Sequence, residues 1–449
     1  METPFPFEGT LVFAFLSLML LLGILTRARV RFFQKYVFPS SLIGGIYGLI
    51  VLNSRLVHLN PETVQAFAYH FFNISFISIG LTPALAQEKT GKEMARGSLW
   101  MALVQGVTFP LQTVIGGLVV VAFLLLGSHI HPAFGFLTAL GFNEGPGEAL
   151  SFGKVWETFG FKGAATVGLS FATFGFLFAF FVGVPLVNWG IKKGLAKGGS
   201  LGEEFYKGYY KKGSPKSPAG RMTLHPANVD TFAFQFALVG LVYLLTYCFI
   251  KCLAPYLPSD YAKMAWGFFF IVGMIFAHLM RKVISILGAE YVIDPGIQRR
   301  ITGAAVDYLI VATGAGIQVA IVATHVVPLL LISILAGMFT TFVVLFLGRR
   351  LPSFNLERIA AIYGTVTGTV SSGLLLLRIV DPEFETPVAK EIGIMNLISV
   401  PIIGGFTVLI NAPFWWNWTT LLTTVVFATI GLISLISIKF LNLLKSRKF

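Results

Sequence analysis

Runs of apolar residues long enough to cross a bilayer recur along almost the whole chain. They lie near 10–27, 38–54, 66–86, 98–127 and 163–191, and again near 231–256, 263–287, 303–323, 326–347, 388–411 and 419–440. A helix rises about 1.5 Å per residue, so about 20 apolar residues cover a hydrocarbon layer roughly 30 Å thick. With 55% hydrophobic and 12% charged residues in 449, little is left for a soluble domain, and the bilayer is the chain's solvent. The expected fold class is an all-α polytopic membrane protein. The first run follows METPFPFEGT and precedes TRARVR, which reverses the charge order of a secretory signal peptide and predicts a retained helix.

Two stretches do not read as plain spans. TALGFNEGPGEALSFGKVWE (138–157) and IAAIYGTVTGTVSSGLLLLRIV (359–380) are too rich in glycine and polar side chains to face lipid. Irregular backbone is tolerated at membrane depth only when it is buried in protein or lines a cavity. Both are expected to be glycine-rich re-entrant hairpins. Charge placement tests this, because each added crossing flips everything downstream. With both stretches re-entrant and the N-terminus outside, the cytoplasmic side receives TRARVRFFQK, EKTGKEMAR, the Lys-rich stretch 193–228, MRK, QRR, GRR, Arg358, Arg378, Lys390 and the KSRKF tail. The loops left outside carry few Lys or Arg, as the positive-inside rule requires. The net charge of +13 therefore encodes orientation in a plasma (inner) membrane rather than nucleic-acid binding.

Each half then reads as five spans with one hairpin before the fifth, and the odd number of crossings inverts the second copy. The expected organisation is a first repeat over 1–192, a basic linker over 193–228, a second repeat over 229–413, and an extra transmembrane helix with a basic tail over 414–449. NISFISIG (73–80) and DYLIVATG (307–314) match in placing a polar residue seven positions before a glycine in the third span.

Inverted repeats with interrupted helices are the architecture of alternating access, and binding groups belong where the helices break. In NEGPGEALS (143–151), Gly145, Pro146 and Gly147 break the helix beside Asn143, and Glu144 and Glu148 stand one turn apart. A carboxylate at that depth serves a cation, a proton or a salt bridge unless it reaches outer water. In GTVTGTVSS (364–372), the alternation of Thr365, Thr367, Thr369 and Ser371, with Ser372 after them, suggests extended backbone whose hydroxyls coordinate Na⁺ or bind a carboxylate. The competing reading is a small-residue packing seam. Asp307 is the most interior acid in this reading and a candidate cation ligand, with Asn73 its uncharged counterpart. His70 is expected to pack or lie at the interface. His129 and His131 are expected to be solvated, since HIH is too few ligands for a metal site. Cys248 and Cys252 are expected to pack as small hydrophobes without a bridge. No phosphate loop, transition-metal motif or nucleophile constellation is present in the sequence, so no enzyme is expected.

Several segments carry a family resemblance: the stretch 159–189 around ATFG (172–175), with PSSLIGG (39–45), SIGL (78–81) and LQTVIGG (111–117). Over about 8–192 and 230–412 the chain resembles the bacterial sodium/glutamate symporter family. The resemblance implies a Na⁺-coupled symporter, a homodimer whose core domains move against a dimerisation scaffold, and a transport site flanked by the two glycine-rich loops. Carried over by position, that site would include Gly145, Gly147 and Glu148, and Gly364, Thr367, Gly368 and Thr369. The paired acids Glu144 and Glu148 depart from the family's familiar first loop, and would repel a carboxylate substrate unless Na⁺ or protons neutralise them. The leading expectation is cation-coupled symport, Na⁺ before H⁺, of glutamate or a related small carboxylate, with no cofactor beyond the coupling ion. A cation/proton antiporter, an H⁺-coupled symporter of another organic anion, and a channel or sensor are the alternatives.

Overall fold

The computed structural model describes residues 5–54, 56–82, 91–196, 203–214, 218–382 and 385–444, and every regular element among them is helical. Part of EKTGKEMAR, part of the Lys-rich stretch and the KSRKF tail lie outside the described residues. Nine of the described helices are long and apolar enough to cross a membrane. This is a multi-pass membrane protein.

The first part of the chain forms α1 (Glu8–Arg29), α2 (Ser40–Asn53), α3 (Pro61–Leu81) and α4 (Lys92–Leu125). An irregular segment follows, and then α5 (Pro146–Glu157), α6 (Ala164–Phe181) and its continuation past Val182, α7 (Gly183–Lys192). Beyond the polar stretch come α8 (Thr231–Leu253), α9 (Ser259–Gly267), α10 (Phe269–Ile286), α11 (Pro295–Ala315) and α12 (Val326–Gly348). The last elements are α13 (Asn355–Thr367), α14 (Val370–Val380), α15 (Val388–Leu409) and α16 (Thr420–Phe440).

Both third spans begin earlier than their apolar runs suggest, at Pro61 rather than 66 and at Pro295 rather than 303. The cause is local. The Asn60 side chain accepts from Glu62 N at 3.0 Å and Asp294 Oδ1 accepts from Ile297 N at 2.6 Å. Each cap is followed by proline at the first helical position, where a missing N–H costs nothing. The run expected to reach 323 instead stops at Ala315, with a separate turn at Val319–Thr324.

α3 and α11 pack against each other at the centre, α2 lies along α11, and α10 lies along α3. Corresponding glycines permit these last two crossings. A methyl group on Gly314 would lie 2.6 Å from Gly45 backbone, and one on Gly80 would lie 2.7 Å from Ala277 Cβ. Close backbone approach of this kind holds helices together where lipid is as apolar as the side chains. α4 packs on α12, α15 and α16. Cys248 and Cys252 are free, but they sit on the exposed face of α8 rather than packed as expected; that apolar face suits lipid.

Candidate functional site

The stretch around NEGPGEALS folds as a hairpin. Its first leg, Phe134–Glu144, is a run of short 3₁₀, α and π turns, and its second leg is α5. The turn is forced by Gly145, with φ of 92° in the region only glycine adopts freely, followed by Pro146 at the start of α5. Both legs return to the same place. Phe134 and Trp156 approach the Phe161 ring at 6.2 and 6.4 Å, and Trp156 Nε1 donates to Asn411 Oδ1 at 2.6 Å. His131 stacks on Phe161 at 4.2 Å and is half-buried there, contrary to its expected solvation, whereas His129 is exposed.

A second hairpin pairs α13 with α14 across Gly368 and Thr369. Its legs touch closely enough that a methyl group on Gly364 would lie 2.6 Å from Ser372 O. The expected extended alternation is confined to the break itself. Thr365 and Thr367 are helical, their hydroxyls donating to Ala361 O (2.9 Å) and Tyr363 O (2.6 Å), and Ser371 and Ser372 begin the second leg. Threonine satisfies itself on the preceding turn and so joins a helix despite the period-two pattern.

The helix α6–α7 carries the two hairpins from opposite ends. The first opens at its start, near Phe161, and the second at its end, where Leu356 meets Gly190. Their tips meet midway. A methyl group on Gly145 would lie 2.8 Å from Thr369 Cγ2 and 3.0 Å from Gly368 O. One on Gly175 of α6 would lie 2.5 Å from Thr367 O and 3.3 Å from Phe142 Cα.

A polar cluster surrounds this meeting point. With its amide nitrogen turned to the carboxylate, Asn143 donates to Glu144 Oε1 at 3.1 Å and accepts from Thr108 Oγ1 at 2.9 Å. Gln105 Nε2 donates to Glu144 Oε1 at 3.4 Å. Glu148 is only 4% exposed, and its Oε2 has no hydrogen-bond partner among the described residues. Gln105 Oε1 and Thr369 Oγ1 are likewise buried and without a partner among the described residues. Gln112 Nε2 donates to Val366 O (3.0 Å) and Thr340 Oγ1 (3.1 Å), tying α4 to the second hairpin. Buried oxygens left without donors are what a hard cation or a bound proton would satisfy.

The structure thus brings Asn143, Glu144, Gly145 and Glu148 to one hairpin, and Gly364, Thr365, Thr367, Gly368, Thr369, Ser371 and Ser372 to the other. Gly147 faces Phe72 of α3 rather than the opposite tip. Two candidates lie elsewhere. Asn73 is fully buried on the α3 face it shares with Ile77 and Gly80 against α10. Asp307 is exposed and sits one turn before the residues of α11 that touch Gly45. It is not the most interior acid: Glu391, Glu357 and Glu148 are buried at 0, 1 and 4% exposure. Gln105, Thr108 and Gln112 were not anticipated, although their i, i+3, i+7 spacing inside an apolar span marks one polar face of α4.

A further cluster was also not anticipated. Arg358, expected in a cytoplasmic loop, is buried at the base of the second hairpin and grips Glu391 of α15 through Nε (2.8 Å) and Nη2 (2.6 Å). Its Nη1 donates to Ser353 O at 2.9 Å.

The family described as sodium/glutamate symporter matches residues 5–351, a range that includes the first hairpin and ends just before the second. No curated protein matches the chain.

Proposed function

The chain belongs to the sodium/glutamate symporter family, and from that premise we propose that it carries glutamate or a closely related small carboxylate together with Na⁺ by alternating access. In this reading 1–192 and 229–413 are inverted repeats joined by a cytoplasmic linker, the N-terminus is outside, and the protein works as a homodimer. The two hairpins are re-entrant and enclose one shared site. A single observation carries the proposal: two helix breaks that approach along α6–α7 from opposite ends touch at their tips, beside paired carboxylates and unpartnered oxygens. Broken helices facing each other at a common point supply dipole ends and free backbone groups for both an ion and an anionic substrate.

The chemistry follows from the charges. Glu144 and Glu148, both ionised, repel an approaching carboxylate by about 3 kcal/mol for one charge pair at roughly 5 Å and an effective dielectric near 20. A Na⁺ held by Glu148 Oε2, the Glu144 carboxylate and the Gln105 carbonyl oxygen cancels one of the two charges, and a second Na⁺ or a proton on the pair cancels the other. The cations therefore bind first, and the substrate engages a site they have neutralised. On the other tip, the Thr369 and Ser372 hydroxyls offer contacts to a substrate carboxylate, whereas Thr365 and Thr367, whose protons go to Ala361 O and Tyr363 O, have only lone pairs left, for an α-ammonium group; Ser371 is exposed at the same break. Asn73 and Asp307 lie at the α3–α10 and α2–α11 contacts, and in this reading they bias helix movement rather than hold the ion.

Proteoliposomes holding the purified protein test the proposal. L-glutamate uptake should rise with an imposed Na⁺ gradient at constant pH, and glutamate indifferent to that gradient would exclude Na⁺ coupling. One observation favours a second reading: an unpartnered, buried Glu148 carboxylate is also what a carried proton requires. A response to a pH gradient alone selects that reading.

A further inference from the structure

A groove of about 560 Å³ runs along α10 and the turn that follows it, apart from both hairpins. That volume falls in the range of about 300–1,000 Å³ typical of small-molecule sites. Its lining changes character along the helix. Met274, Ile275 and Leu279 come first, then Arg281, Lys282 and Ser285, and Glu290 closes the far end. Ile275 and Lys282 are two turns apart, about 10 Å along the axis. The apolar part faces outward: Ile275, Leu279 and Val283 are each 52% exposed, on a span long and apolar enough to cross a membrane. Hydrocarbon is the medium such side chains fit.

We propose that this groove binds one anionic phospholipid of the bilayer, with an acyl chain against Met274, Ile275 and Leu279 and the phosphate on Arg281 and Lys282. The apolar-to-cationic order along α10 repeats the order of chain and headgroup in a leaflet. Basic pockets at the ends of membrane helices are where anionic headgroups lodge. Charge decides between lipid classes. Two cations, Arg281 and Lys282, against one acid, Glu290, leave the groove at +1, and neither cation enters an ion pair among the described residues. Glu290 is exposed beyond the end of α10, and its Oε2 accepts from Ser285 Oγ at 3.1 Å. Arg281 is half-buried and held in place, since its Nη1 donates to Thr82 O at 2.7 Å, just past the end of α3. That bond leaves the rest of the guanidinium fork for a phosphate. His278 keeps its Nδ1 proton for Met274 O, at 2.8 Å.

The site bears on a helix crossing. It lies beside the contact of α3 with α10, where a methyl group on Gly80 would lie 2.7 Å from Ala277 Cβ, 3.0 Å from Met274 O and 3.3 Å from His278 Nδ1. A lipid that joins the apolar face of α10 to Arg281, itself tied to the end of α3, braces that crossing from the bilayer side. A ligand that binds only the folded protein stabilises it. The proposal holds whatever solute the protein carries.

Native mass spectrometry of the full-length protein, released from nanodiscs of equal phosphatidylglycerol and phosphatidylcholine, tests the inference. The wild type should retain phosphatidylglycerol in preference. Arg281→Gln, Lys282→Gln should weaken its binding about thirtyfold, the combined effect of two cations at an anionic surface. Lys282→Gln alone keeps the bond from Arg281 to Thr82, so it guards against a folding defect, and should weaken binding about fivefold. Leu279→Trp fills the apolar part of the groove without altering charge and should also lower phosphatidylglycerol retention. Lys192→Gln, Lys193→Gln, which removes two exposed cations at the end of α7, should leave it unchanged. Equal retention of the two lipids by the wild type overturns the site. An equal loss from the α7 variant also overturns it, by tracing the preference to general surface charge. Displacement by added inorganic phosphate would make it a free-anion site instead. Conversion of a dimer to a monomer by Leu279→Trp would put a second copy of the chain in the groove and remove the lipid.

Discussion

The two hairpins meet at one point yet are built on different principles. The first has an irregular leading leg, a Gly-Pro turn, two carboxylates at its tip and a base closed by aromatic rings, with His131 and Trp156 gathered around Phe161 and Phe414. The second has two regular helical legs, only neutral hydroxyls at its tip, and a base locked by the Arg358–Glu391 pair. Charge sits at the tip of one and at the base of the other. A carboxylate without a partner favours any state that supplies a cation, whereas a satisfied buried ion pair resists rearrangement. Under the proposed function, the contrast gives ion sensing to the first hairpin and anchoring to the second.

The largest expected effect tests the anchor. Glu391→Gln strands the Arg358 guanidinium in a buried site and should destabilise the protein by about 3–5 kcal/mol, the usual cost of removing one partner of a buried pair. The loss should appear as a lowered melting temperature in detergent and a shortened lifetime on size-exclusion chromatography. Glu148→Gln provides the contrast. It exchanges an unpartnered carboxylate for a neutral amide of the same shape, so stability should hold or rise while Na⁺ activation of uptake falls by about tenfold or more, the loss of a charge-assisted contact worth about 1.5–3 kcal/mol. If Glu391→Gln melts like the wild type, or Glu148→Gln keeps its Na⁺ dependence, the division of labour between the hairpins fails.

These two sites were unequally legible in the sequence. NEGPGEALS announces itself, because glycine and proline break helices and paired acids within an apolar chain need a cause. The matched spacing of Asn73 to Gly80 and Asp307 to Gly314 paired the two third spans but gave no role to the glycines, which the structure places at close helix contacts. Arg358 and Glu391 are 33 residues apart, and each sits beside other charges at the edge of an apolar run, where a solvated loop residue looks the same. Only the folded hairpin brings them together. Gln105, Thr108 and Gln112 are obscured for another reason: a window that averages hydropathy over a span dilutes three polar side chains on one face. The period-two hydroxyls of TVTGTVSS mislead in the opposite direction, since their hydrogen bonds to preceding carbonyls hide a helix behind a strand-like pattern.

Thr369→Val sharpens the comparison from the other tip. The Thr369 hydroxyl is buried and unpartnered, so the valine should fold normally, and the loss of one substrate hydrogen bond should raise the KM for L-glutamate by about tenfold, equivalent to roughly 1.4 kcal/mol. Half-saturation by Na⁺ should not move. A shift in the Na⁺ dependence instead would mean that the second tip also contacts the ion.

The smallest expected effect concerns the bases, where only the first hairpin carries a histidine. His131 is sandwiched between Phe161 at 4.2 Å and Phe414 at 5.9 Å, and its Nδ1 accepts from Ala133 N at 3.1 Å. Burial in this stack pushes its pKa down to about 4 from an ordinary 6.5, so folding favours the neutral ring. A depressed folded-state value means the contribution is complete above pH 6.5 and is lost as pH falls through about 4. The melting temperature of the wild type should therefore decline over that window. His131→Phe keeps an aromatic ring between the same neighbours and loses only the acceptor for Ala133 N. It should melt slightly lower at neutral pH and show a flatter acid limb. Parallel acid limbs in the two proteins would place the acid sensitivity elsewhere in the fold and leave the aromatic closure of the first hairpin indifferent to protons.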